Sequence, residues 1–180
     1  PFDPFFDSPR GPGYNHRSMD ACAGIVETNS VAETQAVGER LAGRLRAGDV
    51  IALSGDLGAG KTAFTQGVAR GLGITRPVTS PTFILVNVYR REDEARLFHM
   101  DAYRLDSASE AEELDLETML AQGPLLVEWP ERIGALVPGE CLWINFEHVD
   151  EEEREMNFKA SGERYDKLLE VVRHAAYGGD

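Results

Sequence analysis

The octapeptide Gly55-Asp56-Leu57-Gly58-Ala59-Gly60-Lys61-Thr62 narrows the fold more than any other stretch of the chain, because it matches G-x-x-x-x-G-K-[ST] in full. The apolar run Val50-Ile51-Ala52-Leu53 precedes it, and a helical pattern from about Lys61 to Leu72, stopped by Gly73, follows. That strand–loop–helix order is what phosphate binding requires. Phosphate oxygens are approached by backbone N–H groups, so Gly55, Gly58 and Gly60 remove side chains and permit unusual dihedrals. The helix N-terminus adds partial positive charge. Lys61 supplies a full charge to β- and γ-phosphates, and Thr62 a hydroxyl for Mg²⁺. Guanine readers carry an Asn-Lys-x-Asp loop. No Asn-Lys pair occurs here, which favours ATP over GTP.

The flanking pattern is that of an α/β domain. Ile25 to Thr28 reads as a short strand. Ser30 and Glu33 form a capping box ahead of a helix with the stripe Val37, Leu41, Leu45, ended by Gly48. Phe83–Arg90 and Arg96–Met100 predict an antiparallel hairpin across the polar turn Glu92-Asp93-Glu94. Ser107 or Ser109 caps a helix running to about Ala121, stopped by Gly123. Pro124–Trp129 and Cys141–Val149 read as strands, Met156–Ala160 as a last one, and Ser161 opens a final helix with Tyr165, Leu168, Leu169 and Val172 on one face.

A phosphate loop needs a carboxylate near the metal and a group to position water. Two apolar runs end in acids: Leu97 to Asp101, and Leu125 to Glu128. Ligands in α/β proteins gather at the carboxyl ends of strands, so both acids are candidates if their strands neighbour the phosphate-loop strand. Ser80-Pro81-Thr82 lies where a γ-phosphate-sensing loop would sit, although on chemistry alone a simple Ser-Pro turn into a strand is the preferred reading. His99 reads as packed or metal-adjacent, with packing preferred; Trp129 as core or lid; Arg104 as a phosphate charge or one half of an ion pair.

With 180 residues and 42% hydrophobic composition, the chain suits one domain with a real core. Residues 1–24, rich in Pro, Gly and Asp, are set aside as a disordered segment or an expression remnant before Met19. Residues 25–176 form the single domain and 177–180 a tail. No apolar run approaches the eighteen residues of a membrane helix. The start lacks the basic and apolar regions of a secretory signal, and Cys22 and Cys141 are far apart with no C-x-x-C pair, so zinc and a disulfide framework are not expected and the cytoplasm is. Net charge is −13, and only Lys61, Lys159 and Lys167 are lysines. Such a surface repels nucleic acid, so any RNA would be held by a partner. The acidic run Asp150–Glu153 reads as a solvated turn.

Four segments occur in order: the phosphate loop, Ser80-Pro81-Thr82-Phe83, His99-Met100-Asp101-Ala102-Tyr103-Arg104 and Val127-Glu128-Trp129-Pro130-Glu131. With Thr34…Gly38-Glu39-Arg40 they resemble the bacterial TsaE (YjeE) family, the ATPase of tRNA threonylcarbamoyladenosine biosynthesis, over roughly Thr34 to Val149. The resemblance implies a three-layer P-loop NTPase-type domain whose sheet is mainly parallel with an antiparallel hairpin. It implies that Thr62 and Glu128 hold Mg²⁺, that Asp101 assists metal or water, and that Lys61, Asp101 and Glu128 serve catalysis. It implies that Ser80 and Thr82 belong to a switch segment, that Thr34 lies near the adenine, and that Gly55, Asp56, Gly58, Ala59 and Gly60 line the phosphates. The implied partner is the TsaB–TsaD heterodimer, which transfers threonylcarbamate to adenosine. Ala63 departs from the many P-loops with a second hydroxyl there, so one auxiliary phosphate contact is missing. The alternatives are a P-loop kinase of a small molecule, which usually adds an arginine-bearing lid not seen here, and a nucleotide-sensing module with negligible turnover.

Overall fold

The computed structural model describes residues 23–81, 85–105, 110, 114–150 and 153–177. The strands are β1 (Ala23–Thr28), β2 (Val50–Gly55), β3 (Val86–Arg90), β4 (Arg96–Asp101), β5 (Leu125–Glu128), β6 (Leu142–His148) and β7 (Arg154–Ala160). The helices are α1 (Val31–Ala42), α2 (Lys61–Gly71), α3 (Leu116–Gln122) and α4 (Glu163–Tyr177), with 3₁₀ turns at Pro130–Arg132 and Gly134–Leu136. The strands form one sheet in the order β1-β7-β6-β2-β5-β4-β3. β6, β2, β5 and β4 run parallel; β3, at one edge of the sheet, and β7, between β6 and the other edge strand β1, run antiparallel to their neighbours. The expected hairpin is β3–β4, and the antiparallel portion extends further, because β7 folds back on β6 and is itself paired by β1. β1 begins two residues ahead of the boundary placed at 25, with Ala23 opposite Lys159 and Gly24 opposite Phe158.

Side-chain alternation divides the core between the two sheet faces. Leu97 and Leu126 pack with Val37, Leu41, Phe64, Val68, Leu168 and Leu169 beneath α1, α2 and α4. Phe98, Met100, Leu125 and Val127 point the other way, under Leu116 and Met119 of α3 and under Ile133 and Leu136. Helices α1 and α2 touch through glycines: a Cβ on Gly67 would stand 1.9 Å from the Gln35 carbonyl oxygen, and one on Gly38 2.3 Å from that of Phe64.

Two helix boundaries differ from expectation. Ser30 Oγ accepts the Glu33 N–H at 3.2 Å, but Glu33 Oε2 accepts from Asn29 N–H, at 2.7 Å, one residue outside the usual box. α1 stops at Ala42 rather than near Gly48. The chain leaves it in tight turns, with Arg44 and Leu45 bonding back to Leu41 and Ala42, and Asp49 caps the Arg46 N–H at 2.8 Å. Gly48, at φ 89°, instead turns the chain into β2. The third helix is capped by Asp115, whose Oδ1 accepts from Thr118 N–H at 3.0 Å. Ser107 and Ser109 lie outside the described residues.

Candidate active site at the strand ends

Loop and acids meet at the carboxyl ends of the parallel strands. β2 lies between β5 and β6, so its loop opens beside the end of β5. Leu53 of β2 pairs with Glu128, and Glu128 pairs with Asp101 of β4. Gly55 takes φ 123°, and a Cβ there would lie 2.2 Å from the Phe146 carbonyl oxygen, so the exit from β2 admits no side chain. The loop closes with Gly60 capping α2 at φ 115°.

Lys61 is 4% exposed, and its Nζ donates to the carbonyls of Gly55 and Asp56, each at 2.7 Å. The same ammonium lies 4.2 Å from the centre of the Trp129 ring. Trp129 reaches this position from a left-handed backbone at φ 59° just past β5, and its ring packs on Tyr103 at 5.0 Å. Burial holds the Lys61 ammonium below the usual lysine range, against the opposing pull of Glu128, Glu131, Asp101 and Asp56.

Thr62 Oγ1 donates to Glu128 Oε1 at 2.9 Å, across the gap between α2 and β5. His99 Nε2 meets the same oxygen at 2.9 Å. Ser80 Oγ donates to Asp101 Oδ2 at 2.7 Å, while Asp101 Oδ1 accepts from Tyr103 N–H at 3.0 Å. Ser80 therefore touches Asp101 at the end of β4. Thr82 lies outside the described residues.

A cavity of about 710 Å³ gathers Thr34, Gly58, Gly60, Lys61, Thr62, Ser80, Asp101 and Glu128. Gly55, Asp56 and Ala59 do not line it: the first two hold Lys61 through their carbonyls, and Ala59 is buried in the core. Thr34 forms part of the wall with its hydroxyl already engaged, donating to Ser30 O at 3.2 Å and 2.9 Å from Thr28 Oγ1. Ala63 lines the cavity with a methyl group where a hydroxyl is common.

The walls also include Ser30, Val31, Leu57, Tyr103 and Arg154, which the sequence did not single out as binding residues, and Trp129, read there as core or lid. Arg154 is brought there by the antiparallel register that sets it against His148. Its Nη1 donates to the carbonyls of Asp150 and Glu153. His99 carried a usable signal, since it stands two residues before Asp101 and a strand repeats its faces every second residue. Arg104 is exposed.

The donor set suits Mg²⁺. A threonine hydroxyl and two carboxylates supply hard oxygen ligands. Among the described residues no group of three or more His, Cys, Asp and Glu could cage a metal. Mg²⁺ is commonly held by one or two carboxylates together with substrate phosphates rather than by an all-protein cage.

The central parallel strands, the glycine loop closing on a helix N-terminus and the acids at adjacent strand ends define a P-loop NTPase-type domain. Comparison with known proteins carries the assignment further. The family model described as "Threonylcarbamoyl adenosine biosynthesis protein TsaE" matches residues 28–156. The chain belongs to the TsaE family. It is 46% identical to the "tRNA threonylcarbamoyladenosine biosynthesis protein TsaE" of Bacillus subtilis over 143 residues, covering 79% of this chain and 89% of that protein. It is 39% identical to the protein of the same name from Mycobacterium leprae over 135 residues, 71% of this chain and 84% of that one. The crystal structure of Bacillus subtilis YdiB superposes with a TM-score of 0.74 at 39% identity, covering 86% of this chain and 97% of that one.

Proposed function

We propose that this protein binds and hydrolyses Mg·ATP as part of threonylcarbamoyladenosine biosynthesis in tRNA, acting in the cytoplasm with the TsaB–TsaD heterodimer. The observation that carries the ATPase reading is the convergence of Lys61, Thr62, Ser80, Asp101 and Glu128 on one cavity at the ends of parallel strands. The tRNA pathway is supported by the names of the relatives in Bacillus subtilis and Mycobacterium leprae.

In this reading Lys61 exchanges the Gly55 and Asp56 carbonyls for β- and γ-phosphate oxygens, and α2 presents its N-terminal N–H groups to the same phosphates. Thr62 and Glu128, with Asp101 beside them, would hold Mg²⁺, which when bound neutralises charge on the phosphates. Asp101 orients the attacking water. Ser80, tied to Asp101 at 2.7 Å, reports the γ-phosphate to the rest of its segment. Thr34 borders the nucleotide towards its adenine end.

Hydrolysis by the isolated chain is slow. Arg154 is the arginine among the described residues lining the cavity, and its guanidinium is engaged by its own loop. An arginine supplied in trans can add about 10³–10⁵ in rate. The test is phosphate release by the purified chain, with and without the heterodimer. Slow release that the heterodimer accelerates and Glu128→Ala abolishes is the expected result. A fast parent rate indifferent to the heterodimer, or transfer of phosphate to a metabolite, overturns the reading.

A further inference from the structure

We propose that His99 is the positioning residue of the metal-holding carboxylate: its Nε2–H fixes the orientation of Glu128 and thereby sets the affinity of the Thr62–Glu128 pair for a divalent cation. The inference rests on the proposed Mg·ATP site.

The placement follows from strand geometry. His99 and Asp101 lie on the same face of β4, and the parallel register sets His99 beside Leu126 and Asp101 beside Glu128. The imidazole thus lies one pleat behind the strand-end acids and reaches diagonally to Glu128 Oε1 at 2.9 Å. It is fully buried, at 0% exposure, with the Tyr89 ring stacked at 6.4 Å. Oε1 receives donors from two directions: Thr62 on α2 and His99 on β4. Two donors on one oxygen stop the carboxylate from turning about its own axis, so Glu128 faces the cavity in one orientation.

An ionised carboxylate offers only lone pairs, so the proton between the two groups belongs to Nε2. Nδ1 is buried and has no hydrogen-bond partner among the described residues. A histidine serving the core alone would be expected to satisfy both nitrogens or be replaced by an apolar side chain. Here Nδ1 has no partner among the described residues, while Nε2 is aimed at the carboxylate that Thr62 also touches. Residues that orient metal ligands in this way typically contribute 10–100-fold to metal affinity.

The experiment uses the full chain saturated with ADP and reads Mn²⁺ binding by electron paramagnetic resonance. His99→Phe keeps a ring and removes the donor; His99→Gln places an amide N–H near the position of Nε2. The expected result is a loss of about tenfold in Mn²⁺ affinity for His99→Phe, most of it regained in His99→Gln. ADP affinity in EDTA stays at the parent value in both. Parent-like Mn²⁺ affinity in His99→Phe, or no recovery in His99→Gln, overturns the proposal. So does a fall in EDTA-measured ADP affinity that accounts for the whole Mn²⁺ effect, which marks a packing role. If His99→Phe does not fold, His99→Asn takes its place, because its amide stops short of Nε2: Asn weaker than Gln supports the proposal, and equal affinities refute it. Glu128→Ala tests the underlying reading separately. Parent-like Mn²⁺ binding in that variant removes the metal site itself, whereas its loss alongside a silent His99→Phe removes only the role of His99.

Discussion

The Gly67→Ala substitution tests whether the contact between α1 and α2 sets the position of the phosphate-loop helix. The added methyl would stand 1.9 Å from the Gln35 carbonyl oxygen and 2.8 Å from its Cα, well inside the 3.0 Å that real Cβ atoms respect. The obstacle is backbone, so no side-chain rotation relieves it, and the helices must part by roughly an ångström over a close-packed interface. Overpacking of this kind costs about 1–3 kcal/mol, here near the upper end, and the better helix propensity of alanine returns about 1 kcal/mol. The net expectation is about 2 kcal/mol of destabilisation, a fall in melting temperature of about 4–8 °C for a chain of this size. Gly43→Ala is the matched control. Gly43 has an ordinary helical φ of −61°, and nothing lies within 4 Å of the new Cβ. That change should stabilise by about 0.4–1 kcal/mol through the unfolded state. Melting of both variants by circular dichroism decides the matter. A Gly67→Ala protein that melts at or above the parent, or two variants that shift alike, would refute the packing argument.

Lys61→Ala removes the ammonium held by the Gly55 and Asp56 carbonyls and should abolish calorimetrically detectable Mg·ATP binding or turnover; parent-like values in both would sink the phosphate assignment. Ser80→Ala deletes the hydroxyl donated to Asp101 and should depress heterodimer-stimulated phosphate release more than ATP affinity; an equal fall in both would make Ser80 a binding residue rather than a switch. Burial pushes the Cys141 thiol up to about 11, so the raised value keeps it protonated throughout the neutral range and the reactive thiolate appears only in strong base. Peptide mapping after iodoacetamide treatment at pH 8 should find Cys141 unmodified in the native protein and alkylated in urea.

Much of the site was readable because its parts are local. A glycine loop, its lysine and its hydroxyl are adjacent in the chain, and the physical demands of phosphate binding act on that short piece. The same holds for Ser30 as the cap of α1, though Glu33 reaches Asn29 rather than closing the box on Ser30, and for the runs ending in Asp101 and Glu128. The misplaced end of α1 shows the limit of local reasoning. Gly48 is a helix stop on composition, yet the helix had already ended at Ala42, and Gly48 serves the turn that Asp49 stabilises.

The sequence by itself determined which side chains the candidate site can offer, because the glycine loop, Lys61 and Thr62 follow one another directly in the chain. It also determined the family, through four motifs in fixed succession. Tertiary structure alone decided which groups share an atom. That Thr62 and His99 converge on one oxygen of Glu128 depends on β4, β5 and α2 being neighbours, a consequence of sheet order and register. That Trp129 covers Lys61 depends on a left-handed residue at the end of β5, and that Arg154 reaches the cavity depends on how β7 pairs with β6. These contacts join segments tens of residues apart, and their geometry is set by packing across the sheet rather than by any preference of the segments themselves.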